Sequence, residues 1–420
     1  MTTQSDLAAD ATSVVSPASQ PPDARARLLL AVGVIALALN LRPSIIAVSP
    51  MLNLIRHDTG MSTAVAGLLT TLPLLCFGLL APIAPWLARR CGIESVLCAT
   101  MVAVCVGTAI RDVPSMPALL GGTVVIGAGI AVANVLIPAI IKRDCGPDIG
   151  LMMGLYSMSL SIGAALAAGV TVPLARAAHT DWRTTLALWG WLAAAALVAW
   201  VPQLRRQRRR QPARTSPATQ PVRGMWTHPV AWLVTAFMGL QSFGYYATTA
   251  YLPSILIDAG LSAGEAGWML SLANLLGIVA AFVAPTLAVR AGRPGLLAVL
   301  VATLTASGLA GLIFAPASFA YGWILLLGLG QVAAFSLALL LIVLRTPDGR
   351  HAAQLSSMAQ CCGYLLAAAG PLAIGAVRQA SGGWSAPLVV LLILLVPQTV
   401  VGLGAARSRY AAPDSRISQN

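Results

Sequence analysis

APWLARRCG at Ala84–Gly92 and APTLAVRAG at Ala284–Gly292 are one segment written twice, matching at Ala, Pro, Leu, Ala, Arg and Gly with an offset of 200 residues. The register holds outward in both directions. Upstream, Gly60 pairs with Gly260, Ser62 with Ser262, Ala66 with Ala266, Gly67 with Gly267 and Leu72 with Leu272. Downstream, Ser157-Met158 faces Ser357-Met358, Gly163 faces Gly363, and Ala167-Ala168 faces Ala367-Ala368. A single register kept across three helix pairs indicates a duplicated structural unit. Two parallel units of this kind place a solute site between them, near mid-membrane.

That the units lie in a membrane follows from composition. Of 420 residues, 58% are hydrophobic and 9% charged, against about 25% charged in a soluble globule. The chain therefore reads as an all-α polytopic membrane protein. A helix crossing the hydrocarbon needs roughly 20 residues. On that ruler, spans are expected near 28–55, 62–88, 94–110, 115–141, 149–177 and 184–203, then near 229–257, 262–289, 295–314, 317–344, 351–377 and 384–405. The expectation is twelve transmembrane helices in two pseudo-symmetric six-helix halves.

The expected organisation is a disordered cytoplasmic tail at 1–24, a six-helix bundle at 25–203, a basic cytoplasmic linker at 204–227, a second bundle at 228–406 and a cytoplasmic tail at 407–420. The first segment has no basic n-region before a short apolar core, so it is not read as a cleaved signal. Basic residues gather on one side: Arg25, Arg27, Arg89, Arg90, Lys142, Arg143, the linker, Arg290, Arg293, Arg345, Arg350, Arg407, Arg409 and Arg416. The other side holds Arg56, Arg111, Arg176, Arg183 and Arg378. By the positive-inside rule both termini and the linker face the cytoplasm, in what reads as a bacterial inner membrane. The net charge of +13 thus reflects topology, and no nucleic-acid partner is expected. The seven cysteines lack paired or metal-ligand spacing, so neither a disulfide framework nor a metal or other cofactor is expected. A monomer in the lipid bilayer is.

Within the first span, LALNLRPSIIAVSPMLNLIR (Leu37–Arg56), Arg42 is the one charged residue between Leu28 and Ile55. Scales put the cost of such an Arg at bilayer depth anywhere from about 3 to more than 10 kcal/mol, so it must face protein or a water-filled cavity. Pro43 follows it, removes a backbone donor and disfavours helical geometry at the residue before, so a kink is expected beside the charge. A cationic pocket at a broken helix suits an anion. Alternatively, Arg42 is satisfied by freed carbonyls and Asn40 and only locks the fold. At the repeat offset its counterpart is Ser242, and that asymmetry favours function. Polar groups at depth complete the candidate solute site: Asn40, Asn134, Gln241, Tyr245, Asn274, Gln331, Gln360 and Tyr364. Gln241 with Tyr245, and Gln360 with Tyr364, are i,i+4 pairs on one helix face. Any one amide could equally be an interhelical hydrogen bond.

The six-plus-six pattern with a long central loop, and R-x-G after helices two and eight (Arg90-Cys91-Gly92 and Arg290-Ala291-Gly292), resembles the major facilitator superfamily. Arg89 and Val289 stand where that motif usually has an acid, so its gating salt bridge is not implied. Asn40-Leu41-Arg42-Pro43, then Ala66 to Pro73 and Pro82 to Gly92, resemble the cyanate and 2-nitroimidazole transporter family. The resemblance implies alternating-access transport of a small anionic or polar solute, cyanate or a nitroimidazole-like compound.

Competing classes are less well supplied. An intramembrane enzyme would need a nucleophile with a base, or a metal cluster, and no His, Asp or Glu constellation lies at depth. A broad drug exporter would call for a large aromatic pocket, whereas only 6% of residues are aromatic. Proton coupling would fall to Asp258, Glu265 or the His57-Asp58 pair at span ends.

Overall fold

Among the described residues, the breaks within spans all lie in the first half. The computed structural model describes residues 24–61, 63–210, 222, 224–407 and 410–411. Span one is three pieces: α1 (Ala24–Asn40), α2 (Pro43–Ile46) and α3 (Val48–Thr59). Pro43 has no N–H, so the Leu39 carbonyl loses its helical partner, and Leu41 and Arg42 form a turn. Span two is α4 (Thr63–Leu80) and α5 (Ile83–Cys91), whose axes bend by 61° across Ala81-Pro82. At the repeat offset Pro43 and Pro82 become Phe243 and Phe282. There α10 (Pro229–Asp258) and α11 (Ala263–Arg290) run unbroken.

The other spans are single helices: α6 (Ile93–Asp112), α7 (Met116–Asp144), α8 (Ile149–Ala177), α9 (Trp182–Arg210), α12 (Pro294–Phe314), α13 (Ala320–Leu344), α14 (Gly349–Ser381) and α15 (Ser385–Ala405). Among the described residues, ten helical segments are long and apolar enough to cross a membrane, eleven if the bent pair is one span. The twelfth span is α10, a 30-residue helix made less apolar by Gln241, Ser242, Tyr245 and Tyr246. The chain is an integral membrane protein of twelve helices in two halves. Helix α9 continues past the expected end at 203, because the Arg and Gln that follow are good helix formers. The expected tails, except residues 24, 407, 410 and 411, and linker residues 211–221 and 223 lie outside the described residues.

The duplication is visible in the turns. Asp58 ends α3 and accepts hydrogen bonds from Trp182 Nε1 (2.9 Å) and Arg183 Nη1 (2.9 Å). Its repeat partner Asp258 ends α10 and accepts from Trp384 Nε1 (2.7 Å) and Arg378 Nη2 (3.2 Å). In each half a Trp–Asp–Arg clamp ties the first span to the last, although the second Arg comes from a different helix.

Apolar packing shows how the halves meet. At the end bearing the basic loops one continuous core contains residues of both halves, including Ile137, Ile140 and Met153 with Leu337, Leu341 and Met358. At the opposite end the core divides. One cluster (Met51, Ile55, Leu69, Trp182) belongs to the first half and another (Leu252, Ile255, Leu312, Leu391) to the second. Small residues make the close approaches. A Cβ on Gly154 of α8 would lie 2.8 Å from the Phe282 carbonyl of α11, which is why the halves can touch there. The molecule is sealed at the basic end and cleft at the other.

Candidate functional site

Just above the seal, between the halves, lies a cavity lined from both sides. The first half contributes Arg42 and Ile46 from broken span one, and Leu160, Ser161 and Ala164 from α8. The second contributes Gln241, Ser242, Tyr245 and Tyr246 from α10, Asn274 from α11, Val332 and Phe335 from α13, and Tyr364 from α14. Arg42 and its repeat partner Ser242 thus line the same space.

Arg42 is the N-cap residue of α2, so the Pro43 break aims it out of the helix wall. Among the described residues it makes no ion pair with any carboxylate. Its surroundings are aromatic. The guanidinium carbon lies 5.6 Å from the Phe335 ring centroid, and the phenols of Tyr246, Tyr364 and Tyr245 surround it. A π-face attracts a cation without neutralising it. Arg42 therefore keeps its positive charge for whatever enters, while the hydroxyls of Tyr246 and Tyr364 lie within hydrogen-bond reach of its donors.

The remaining expected residues divide into three groups. Gln241, Tyr245, Asn274 and Tyr364 line the cavity with Arg42. The Tyr245 hydroxyl donates to Asn274 Oδ1 at 3.3 Å, and Tyr245 packs edge-on against Tyr246 with centroids 5.3 Å apart. Gln241 donates to Ser242 Oγ at 2.6 Å and leaves its buried Oε1 without a partner among the described residues. Gln331 stands behind Tyr245, in narrow side recesses, and donates to Thr248 Oγ1 at 3.0 Å.

The other three, like Gln331, do not line the central cavity. Asn40 is buried and turns its amide along its own helix, donating to the Ala36 carbonyl at 2.8 Å. Gln360, one turn below Tyr364 on α14, donates across the halves to the Asn134 main-chain carbonyl at 2.9 Å and to Ser356 Oγ at 2.9 Å. Asn134 in turn accepts from the Tyr156 hydroxyl at 3.4 Å. These two form a polar rung of the seal. Replacing Gln360 by Leu removes a bond worth about 1 kcal/mol net, an approximately fivefold shift of the opening equilibrium. Distances between spin labels on the two halves, measured by pulsed electron resonance, should show the basic-end-open population rising by that factor.

Sequence reasoning missed Ser161, Val332 and Phe335. Phe335 follows Gln331 by four residues on α13, the one positional signal available. The acids named as proton carriers are occupied. Glu265 closes a capping box with Ser262, accepting its main-chain N–H at 2.9 Å. The bonds from Trp182 and Arg183 hold the Asp58 carboxyl below its ordinary range. A depressed carboxyl stabilises the fold above its ordinary value of about 4 and loses that contribution as pH falls through its folded value. Asp58 is therefore ionised throughout the neutral range. Asp58→Asn and Glu265→Gln should each leave the pH profile of solute uptake unchanged between about pH 6 and 8, measured in proteoliposomes. Among the described residues no group of His, Cys, Asp and Glu could hold a metal.

Residues 28–371 match the family described as Major Facilitator Superfamily. The chain is 40% identical over 383 residues to the 2-nitroimidazole transporter of Escherichia coli (strain K12), covering 91% of this chain and 96% of that protein. It is 32% identical over 377 residues to the cyanate transport protein CynX of the same organism, covering 90% and 97%. Among solved structures, the proton:xylose symporter XylE bound to 6-bromo-6-deoxy-D-glucose superposes with a TM-score of 0.69 at 16% identity, over 90% of this chain and 94% of that one. At that identity the likeness concerns the fold.

Proposed function

The chain belongs to the Major Facilitator Superfamily and is a transmembrane transporter, and from that premise we propose that it carries a small, planar, anionic or electron-rich solute bound by Arg42. One observation carries the reading: a guanidinium with no carboxylate partner among the described residues stands in the cavity between the halves, walled by four aromatic rings. The charge selects a negative or electron-rich end, and the fork of donors fits a carboxylate, nitro or cyanate group. Gln241 and the Tyr245–Asn274 pair orient the remainder. Tyr245, Tyr246, Phe335 and Tyr364 supply flat surfaces for a ring. 2-Nitroimidazole and cyanate, the solutes the two relatives are named for, share that chemistry.

With the basic end cytoplasmic, the cleft opens outward and the seal lies inward. Transport is then exchange of the seal and the cleft about the Arg42 level. In this reading the solute is relocated unchanged by a single chain.

Counterflow into proteoliposomes tests the reading. Cyanate and 2-nitroimidazole should each accelerate entry of labelled 2-nitroimidazole, with the ring compound saturating at lower concentration because it uses the aromatic wall. Xylose should have no effect. Acceleration by xylose and none by either nitrogen compound would remove the proposed solute class.

A further inference from the structure

Arg111 reads from sequence as an outer-loop cation, yet the structure buries it. It sits at the end of α6 with 2% of its surface exposed. Its Nη1 donates to the Ser44 main-chain carbonyl at 2.6 Å, and its Nε to Thr123 Oγ1 on α7 at 3.0 Å. Thr123 passes its own proton to the Leu119 carbonyl at 2.7 Å. The remaining Nη2 is buried with no hydrogen-bond partner, and among the described residues no carboxylate pairs with it.

Ser44 belongs to α2, a single four-residue turn suspended between two irregular points of span one. That turn begins on Arg42, whose carbonyl accepts from Ile45 N (3.1 Å) and Ile46 N (2.9 Å). So short a helix has no cooperative stability of its own and is held by its neighbours. Rotating it would swing the Arg42 side chain out of the cavity. A carbonyl can be held by any neutral donor, whereas a buried guanidinium with no counter-ion is expensive. Arg111 spends two donors of one planar group on two elements, the Ser44 carbonyl of α2 and Thr123 of α7, and so fixes the turn against α7.

We propose that Arg111 is the positioning residue for Arg42: it pins α2 through the Ser44 carbonyl and so holds the Arg42 side chain in the cavity. The proposal rests on the reading of Arg42 as the solute-binding group. Arg111 does not line the cavity, so it acts only through Arg42.

The test is a double-mutant cycle on the full-length protein, with affinity for cyanate and 2-nitroimidazole read by calorimetry and melting temperature read alongside. Arg111→Gln should weaken binding at least about tenfold while maximal uptake changes less than about twofold. Arg111→Lys, which keeps charge and one donor, should recover part of the loss. In an Arg42→Ala background Arg111→Gln should change affinity by less than about twofold, because the coupled pair is already broken. Should Arg111→Gln fail to fold, Thr123→Val removes the second anchor in near-isosteric form, and a rise in dissociation constant of about threefold is expected. Wild-type affinity in a folded Arg111→Gln or Thr123→Val protein, or an equal loss in both backgrounds, overturns the positioning role alone. Unchanged affinity in Arg42→Ala overturns the site reading and this proposal together.

Discussion

Arg42→Ala is expected to lower the affinity for cyanate and for 2-nitroimidazole by at least about a hundredfold, roughly 3 kcal/mol, the scale seen when one member of a buried charged contact is truncated. Its stability should move the other way or not at all. Arg42 has no carboxylate to strand, so removing it relieves an uncompensated buried charge and should leave the melting temperature unchanged or raised. That opposition separates the two roles open to this residue. A guanidinium that merely locks the fold would lose stability and transport together. Arg42→Lys keeps the charge but loses the planar two-donor fork, so an intermediate loss of about tenfold is expected. Uptake by proteoliposomes together with thermal denaturation of the purified variants checks both halves of the prediction.

The second large effect is expected at Gly163. This residue of α8 backs the break in span one: a Cβ there would lie 2.5 Å from the Leu39 carbonyl and 3.3 Å from Pro43 Cδ. The Leu39 carbonyl is the group left without its helical donor by Pro43, and it is backbone, so it cannot swing aside as a flexible side chain would. Gly163→Ala must push α1 and α8 apart at the level of Arg42, an overpacking cost of about 1–3 kcal/mol. Because a misplacement of about 1 Å is enough to spoil an oriented contact, uptake should fall at least about tenfold while the protein still inserts and can be purified. Gly169 on the same helix is the control. Nothing lies within 4 Å of a Cβ built there, and Gly169→Ala should transport like the parent. Equal activity of the two variants would show that the break is not held by α8.

These two residues also mark what could be read without coordinates. Arg42-Pro43 and the offset of 200 carry their structural meaning locally. A charge inside an apolar span must find shelter, a proline must break hydrogen bonds, and a repeat must fold twice. Most helix limits followed for the same reason, since hydrocarbon thickness fixes span length. Facing is different. An amide in a span satisfies the same physical demand whether it meets solute or another helix, so nothing local separates Gln241, which lines the cavity, from Gln360, which bonds to Asn134 across the seal. Phe335 and Val332 were hidden because an apolar side chain looks alike towards lipid and towards a cavity. Arg111 was misplaced because counting cations by loop uses position along the chain, whereas its burial depends on Thr123 and Ser44 from two other helices. Aromatic content carries no placement either. It is low for the whole chain, but four of those rings are gathered around one guanidinium.

The central claim, that the cleft holds an unneutralised positive site open from one side, is tested most directly by charge-selective labelling at Ser161, which lines the cavity beside Arg42. With the seven native cysteines replaced and Ser161→Cys introduced, rates of reaction with an anionic and a cationic methanethiosulfonate of similar size are compared. The account predicts that the anionic reagent reacts about tenfold faster, that 2-nitroimidazole protects the thiol from both, and that Arg42→Gln abolishes the preference. Equal rates with Arg42 in place, or a preference that survives its removal, would contradict it.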